Sequence, residues 1–176
     1  LPNLSYFTEF NMHVEKEKEN IEEKWDIDDE VISSKFQIRL ENLFSPFKEY
    51  EIDKNELKIN RDKIIGEGSY GKVFKCQYKN RTVAVKLMKI SPEYEIEMSY
   101  LRREVNYLIK LNKHPYIVEF IGYCLYENNF VCLVSKFVEG GSLDDMLYST
   151  NKLSPDDKTI IAFRVAQAMK FIHSHN

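Results

Sequence analysis

Three of the chain's six glycines fall within one short stretch, Gly66-Glu67-Gly68-Ser69-Tyr70-Gly71-Lys72-Val73. Glycines at this spacing let backbone N–H groups approach phosphate oxygens with no Cβ in the way. Just downstream, Val83-Ala84-Val85-Lys86-Leu87-Met88 has the alternation of a strand. That pattern sends Val83, Val85 and Leu87 to one face and Ala84, Lys86 and Met88 to the other. If both faces are covered, Lys86 points at protein or ligand rather than bulk water. Further on, Leu101, Val105 and Leu108 make an i, i+4, i+7 apolar stripe, and Glu104 lies at its edge. A carboxylate drawn toward a core is costly unless paired, and Lys86 is the natural partner. The pair would hold an ammonium extended toward phosphate oxygens under the glycine loop. The plain alternatives are a glycine-rich hairpin with no ligand, a lysine reaching to solvent and a solvated helix glutamate. For Lys86 or Glu104 alone the plain reading wins; it loses ground when both follow such a loop, one strand and one helix later.

The elements around these residues narrow the choice of loop. A dinucleotide-binding turn leads from its last glycine into a helix. Here Gly71 leads into Val73-Phe74-Lys75-Cys76, which is strand-like. A Walker A loop needs a serine or threonine hydroxyl after its lysine, and Val73 stands there. What remains is a glycine loop between two antiparallel strands. Strand-like runs are expected at 59–66, 72–79, 81–89, 117–126 and 130–137, with Lys79-Asn80-Arg81 as a hairpin turn. Ser91-Pro92-Glu93 starts a long helix running to about Lys113, where His114-Pro115 stops it. Gly140-Gly141 precedes a short helix near Ser142, and Ser154-Pro155-Asp156-Asp157 caps and opens the last helix.

The 176 residues suit one domain, or one domain with an appendage. No window approaches eighteen consecutive apolar residues, so no membrane-spanning helix is expected. Leu1 is followed by no signal-peptide pattern, and the start without Met reads as a fragment. Residues 1–60 hold 8 Lys+Arg against 15 Asp+Glu, and 61–176 hold 17 against 13. Neither part is basic enough to suggest nucleic acid. Residues 1–58 look weakly organised, with short strands at Phe10-Met12-Val14 and Phe36-Ile38-Leu40 and a solvated loop or frayed helix over 15–30. A calcium loop at Asp26–Glu30 fails because Val31 occupies the position that needs glycine. Cys76, Cys124 and Cys132 form no CxxC pair and read as buried, reduced thiols. His173 and His175 do not share a helix face, and Asp144 and Asp145 read as a solvated or capping pair, so no metal site is expected.

Taken together these residues resemble a protein kinase catalytic domain. The resemblance rests on Ile65-Gly66-Glu67-Gly68-Ser69-Tyr70-Gly71-Lys72-Val73-Phe74, Val83-Ala84-Val85-Lys86, Arg103-Glu104-Val105, His114-Pro115-Tyr116-Ile117-Val118, and Leu133-Val134 through Gly140-Gly141-Ser142-Leu143. Glu51-Ile52-Asp53 through Glu56-Leu57 and Phe120-Ile121-Gly122-Tyr123 are most similar to the tyrosine-kinase-like group. The resemblance covers roughly 55–176. It implies an α+β fold: an N-lobe with a five-stranded antiparallel sheet and one long helix, then the first two helices of a C-lobe. The boundaries expected are an acidic extension over 1–54, the ATP-binding lobe over 55–138 and the start of the second lobe over 139–176.

The resemblance also implies roles. Ile65, Gly66, Glu67, Gly68, Ser69, Tyr70 and Gly71 would form the cover over the ATP phosphates. Val73 and Ala84 would sandwich the adenine. Lys86 would contact the α- and β-phosphates, held by Glu104. Ser135 would be a small gatekeeper, and Lys136, Phe137 and Val138 the hinge, reading adenine through the Lys136 C=O and the Val138 N–H. Leu108 and Phe120 would be hydrophobic-spine positions. Two departures stand out: Lys136 replaces a common acidic residue, and one extra residue lies between Glu104 and His114. The H-R-D and D-F-G motifs, with the base and the magnesium ligands, are expected to follow Phe171-Ile172-His173-Ser174-His175-Asn176 and are absent from these residues. The chain by itself is therefore expected not to catalyse transfer. The complete parent is expected to use ATP with Mg²⁺, to phosphorylate protein Ser/Thr or Tyr in signalling, and to lie in the cytoplasm or in the cytoplasmic part of a receptor-like protein. The alternative is a pseudokinase or scaffold that binds nucleotide and partners without catalysis.

Overall fold

The computed structural model describes residues 29–59, 64–68, 71–90, 95–126, 130–148 and 153–175. Ser33–Asn176 forms one compact unit. The first strand expected near Phe10 and most of the acidic run lie outside the described residues.

The sheet is antiparallel throughout its named strands. β1 (Leu57–Lys58) and β2 (Ile64–Gly68) lie along one edge of β3 (Gly71–Tyr78), one near each end. The other edge of β3 pairs with β4 (Arg81–Lys89), which pairs with β6 (Phe130–Lys136), and β5 (Phe120–Tyr126) closes the order. The five expected strands are thus present, the first as β2, and β1 adds a short sixth strand just before the expected start at residue 59.

Register sorts the side chains into two faces. Phe74, Val85 and Val134 sit opposite one another across β3, β4 and β6. They join Leu57, Cys76, Val83, Cys124 and Cys132 in one buried cluster. All three thiols lie in it, and hydrogen bonding to Cys124 together with burial keeps Cys132 protonated well above the usual thiol range. On the opposite face, Met88, Phe120, Tyr123, Val131 and Leu133 pack with helices. Coverage of both faces explains why β6 is buried at four consecutive positions rather than alternating.

Helix α1 (Asp29–Phe44) corrects the strand expected at Phe36-Ile38-Leu40. Phe36, Leu40 and Phe44 are buried while Ile38 is 57% exposed. Spacing of four, not two, is the period that the core reads. After a 3-10 turn at Ser45–Tyr50, with Pro46 near its start, the chain reaches the sheet. Helix α2 (Glu95–Leu111) is the long helix, its expected start at Ser91 lying outside the described residues and its end two residues short of Lys113. Helix α3 (Leu143–Tyr148) and helix α4 (Pro155–His173) follow. Ser154 is the expected N-cap, and it forms a capping box with Asp157, its Oγ 2.6 Å from Asp157 Oδ2. Ser142 and Asp145 make the same exchange at α3, so Asp145 is a capping residue. No helix of the described residues is long and apolar enough to cross a membrane.

Candidate functional site: the glycine hairpin, Lys86 and the hinge

The glycine stretch lies between two antiparallel strands. Gly66 pairs with Val73, Glu67 with Lys72 and Gly68 with Gly71, so β2 and β3 form a tight hairpin. Its tip, Ser69 and Tyr70, lies outside the described residues. A strand after Gly71 excludes both phosphate loops that require a helix there. Lys72 Nζ lies 3.1 Å from Glu67 Oε1 across the hairpin, an exposed pair that adds little stability. Gly71 has φ +128°, and a Cβ there would collide with the Leu87 carbonyl oxygen of β4. Only glycine satisfies both the conformation and that close approach.

From the hairpin, register leads to the lysine. Val73 sits opposite Lys86 and Lys86 opposite Leu133, while Ala84 sits opposite Ser135. Val73, Ala84, Lys86 and Ser135 therefore lie on one face of the sheet, as alternation predicts. This is also the face over which α2 packs: Leu101 and Val105 are buried and Leu108 is partly buried against the same cluster. Lys86 Nζ meets Glu104 Oε1 at 2.7 Å, with both side chains about one-third exposed. The expected partnership is thus present, spanning 18 residues of sequence. A salt bridge at this degree of exposure contributes modestly to stability, but it fixes where the ammonium points.

Ser135 is half-buried near the end of β6, and Phe120 sits opposite it on β5. Lys136 ends the strand, and its N–H donates to the Glu119 carbonyl at 2.9 Å. Among the described residues the Val138 N–H has no hydrogen-bond partner, and Val138 is 53% exposed. Ile65 is also exposed, at 49%. The predicted positions Ile65, Gly66, Glu67, Gly68, Gly71, Val73, Ala84, Lys86, Glu104, Ser135, Lys136, Phe137 and Val138 all belong to the hairpin, this sheet face, α2 or the segment leaving β6.

Sequence reasoning missed two residues that brace this region. Asn112 follows α2 and grips β5 at Phe120: its Nδ2 donates to the Phe120 carbonyl at 2.8 Å and its Oδ1 accepts the Phe120 N–H at 2.7 Å. The only sequence signal was a polar residue just after an apolar stripe. Lys75 places its Nζ 4.2 Å over the Phe137 ring, joining β3 to the segment after β6. Nothing in the linear sequence pairs those two positions. A cavity of about 710 Å³ lies between the Asn112–Glu119 loop and Lys136–Glu139, so its lining includes the predicted site positions Lys136, Phe137 and Val138.

Comparison with known proteins identifies the fold. A family profile described as the protein kinase domain matches residues 59–176. The chain is 36% identical over 119 residues to the mouse serine/threonine-protein kinase TNNI3K, covering 66% of this chain and 14% of that protein. It is 35% identical over 130 residues to mouse interleukin-1 receptor-associated kinase 1, covering 70% of this chain and 18% of the relative. It is 33% identical over 161 residues to the dual specificity protein kinase zak2 of Dictyostelium discoideum, covering 88% and 25%. The chain thus spans about one seventh to one quarter of these relatives, of which the first two are kinases of the tyrosine-kinase-like group. With the glycine hairpin, the order of the sheet and the lysine–glutamate pair in view, the match over two thirds of the sequence is decisive: this chain belongs to the protein kinase domain family.

Proposed function

We propose that this chain is the ATP-holding part of a protein kinase, and that the natural protein carrying it transfers the γ-phosphoryl group of ATP to hydroxyl groups of protein substrates. The relatives' names favour serine and threonine as acceptors. The single observation that carries the proposal is the 2.7 Å Lys86–Glu104 pair on the sheet face continuous with the glycine hairpin.

The residues present fit ATP. The hairpin needs glycine at position 71, the ammonium is held in place, and among the described residues no acceptor takes the Val138 N–H. ATP, with Mg²⁺, would supply the transferable phosphoryl group. Gly66, Gly68 and Gly71 would bring backbone N–H groups over the phosphates, with Ile65, Glu67, Ser69 and Tyr70 completing the cover. Lys86 would neutralise α- and β-phosphate charge, and Glu104 would keep it from folding away. Val73 and Ala84 would flank the adenine, whose edge would meet the Lys136 C=O and the Val138 N–H beside Phe137 and Ser135. The domain boundaries follow: residues 55–138 form the nucleotide lobe and 139–176 begin the second.

The test uses the natural protein carrying this chain, with γ-labelled ATP and a generic protein substrate. Lys86→Met is expected to lower phosphotransfer by about 100-fold or more, with melting unchanged. Undiminished transfer would overturn the assignment of Lys86. Nucleotide binding without any transfer in the unmutated protein would favour the scaffold alternative.

A further inference from the structure

The chain that precedes the sheet is fastened to it at several points. Phe36, Leu40 and Phe44 of α1 are each 2% exposed or less and share one buried cluster with Leu101 and Val105 of α2. Leu101 and Val105 are the residues at i−3 and i+1 of Glu104, so the cluster holds the face of α2 from whose edge Glu104 projects. The backbone is fixed as well. The Tyr123 hydroxyl donates to the Phe44 carbonyl at 3.3 Å, and the two rings stack 4.2 Å apart. Tyr50 stacks on Phe120 at 6.0 Å. The Ile52 N–H donates to the Tyr123 carbonyl at 2.9 Å, and Glu51 bridges Tyr123 in parallel.

Gly122 admits this segment. A Cβ there would collide with the Tyr50 carbonyl oxygen and lie 2.7 Å from Ile52 Cγ2. Glycine inside a strand weakens it, and close approach of another backbone is a standard reason for one. Here the backbone that approaches is the segment leading out of α1.

We infer that Phe36–Ile52 is a built-in strap that positions α2, and through α2 sets Glu104 against Lys86. Phe36, Leu40 and Phe44 are positioning residues for the nucleotide site. Along α2, two independent anchors act on different parts: Asn112 clamps the C-terminal end to Phe120, and the strap supports the flank containing Leu101 and Val105. Packed cores shift between discrete arrangements rather than deforming smoothly, so loosening the strap displaces the glutamate rather than merely softening it. The inference rests on the nucleotide-site reading of Lys86 and Glu104.

The experiment uses the natural protein carrying this chain and has two arms. In the first, a double-mutant cycle combines Leu40→Ala with Glu104→Gln, and phosphotransfer is measured. Leu40→Ala alone is expected to reduce kcat by about tenfold, with Leu40→Met restoring most of it. In the Glu104→Gln background the same change is expected to cost no more than about twofold, because its route of action is already gone. Fully multiplicative losses would overturn the inference by marking Leu40 as generally structural. The second arm needs no mutation: hydrogen exchange is followed as denaturant is raised. Residues 36–44 and 95–111 are expected to lose protection together. Loss of protection over 36–44 alone, with 95–111 still protected, would overturn the strap. If the unmutated protein neither binds nucleotide nor transfers phosphate, the nucleotide-site reading fails, and if it binds nucleotide without transfer the scaffold alternative is favoured; in both cases the exchange arm still decides whether the strap holds α2. If Leu40→Ala does not fold, that arm decides as well.

Discussion

Lys86 and Gly71 make opposite demands on their surroundings. Lys86 needs a partner to remain extended on a covered sheet face, and it has one in Glu104 at 2.7 Å. Gly71 needs the absence of a side chain, because its φ of +128° and the Leu87 carbonyl leave no room for a Cβ. Gly71→Ala is therefore expected to destabilise the fold by about 2–4 kcal/mol, from backbone strain plus a backbone collision. Denaturant unfolding of the variant beside the unmutated protein measures this, and a loss below about 0.5 kcal/mol would contradict it. Gly66 provides the control: among the described residues a Cβ there meets only Val73, at 3.8 Å, an ordinary contact. Both the lysine and the glycines were legible in the sequence, since a strand period, a helix stripe and a glycine cluster point to one place. Asn112 and Lys75 were not, because their partners, Phe120 and Phe137, are brought to them by the fold alone.

Elements with clear local signals were also legible. Ser154-Pro155-Asp156-Asp157 spells a capped helix start, and α4 begins there with the reciprocal bonds in place. Its chemistry gives a pH prediction. Hydrogen bonds from Ser154, side chain first and backbone second, hold the Asp157 carboxyl below its usual 3.8. A carboxyl lowered on folding contributes stability above its unfolded value and loses it as pH falls through the folded one. Helix content is thus expected to decline on acidification below about pH 4, and Asp157→Asn to show a smaller acid-dependent change because its cap does not titrate. Circular dichroism across pH 2–6 on both proteins checks this, and identical acid profiles would contradict it. Asp145 is lowered by the same exchange with Ser142 and adds to the effect at α3. The element that misled sequence reading was α1. Phe36, Ile38 and Leu40 alternate as a strand would, yet Phe36, Leu40 and Phe44 also repeat every four residues. Short apolar runs carry both periods, and tertiary burial chose the helical one.

At the scale of the whole molecule, two faces of one sheet carry two cores. One is closed by the sheet's own residues and β1; the other is completed by α2 and α1. Sequence reading anticipated the first from strand alternation, but it assigned the residues that complete the second to a separate acidic extension, because charge dominates the composition there. Tyr123 joins the second core to the strap. Burial first, then the charge of Glu51, raises its hydroxyl from 10.0 to about 12. A phenol raised on folding keeps its proton in the native state while the unfolded chain ionises, so stability falls as pH rises from about 10 to 12. The loss amounts to at most roughly 3 kcal/mol, and Tyr123→Phe is expected to flatten that slope. Unfolding free energies measured between pH 9 and 12 test it, and an equal slope in both proteins would contradict it. Away from these cores, α4 exposes Ile160, Phe163, Val165 and Met169 by 44–60%.

The central claim is that nucleotide phosphates lie at Lys86, between the glycine hairpin and the pair it makes with Glu104. An adenosine analogue carrying a lysine-reactive electrophile in place of its terminal phosphates tests that most directly. After labelling of the natural protein, peptide mass mapping is expected to place the adduct on Lys86, with excess ATP blocking its formation. Labelling spread over exposed lysines such as Lys72 and Lys79, or an adduct at Lys86 that ATP does not suppress, would contradict the account.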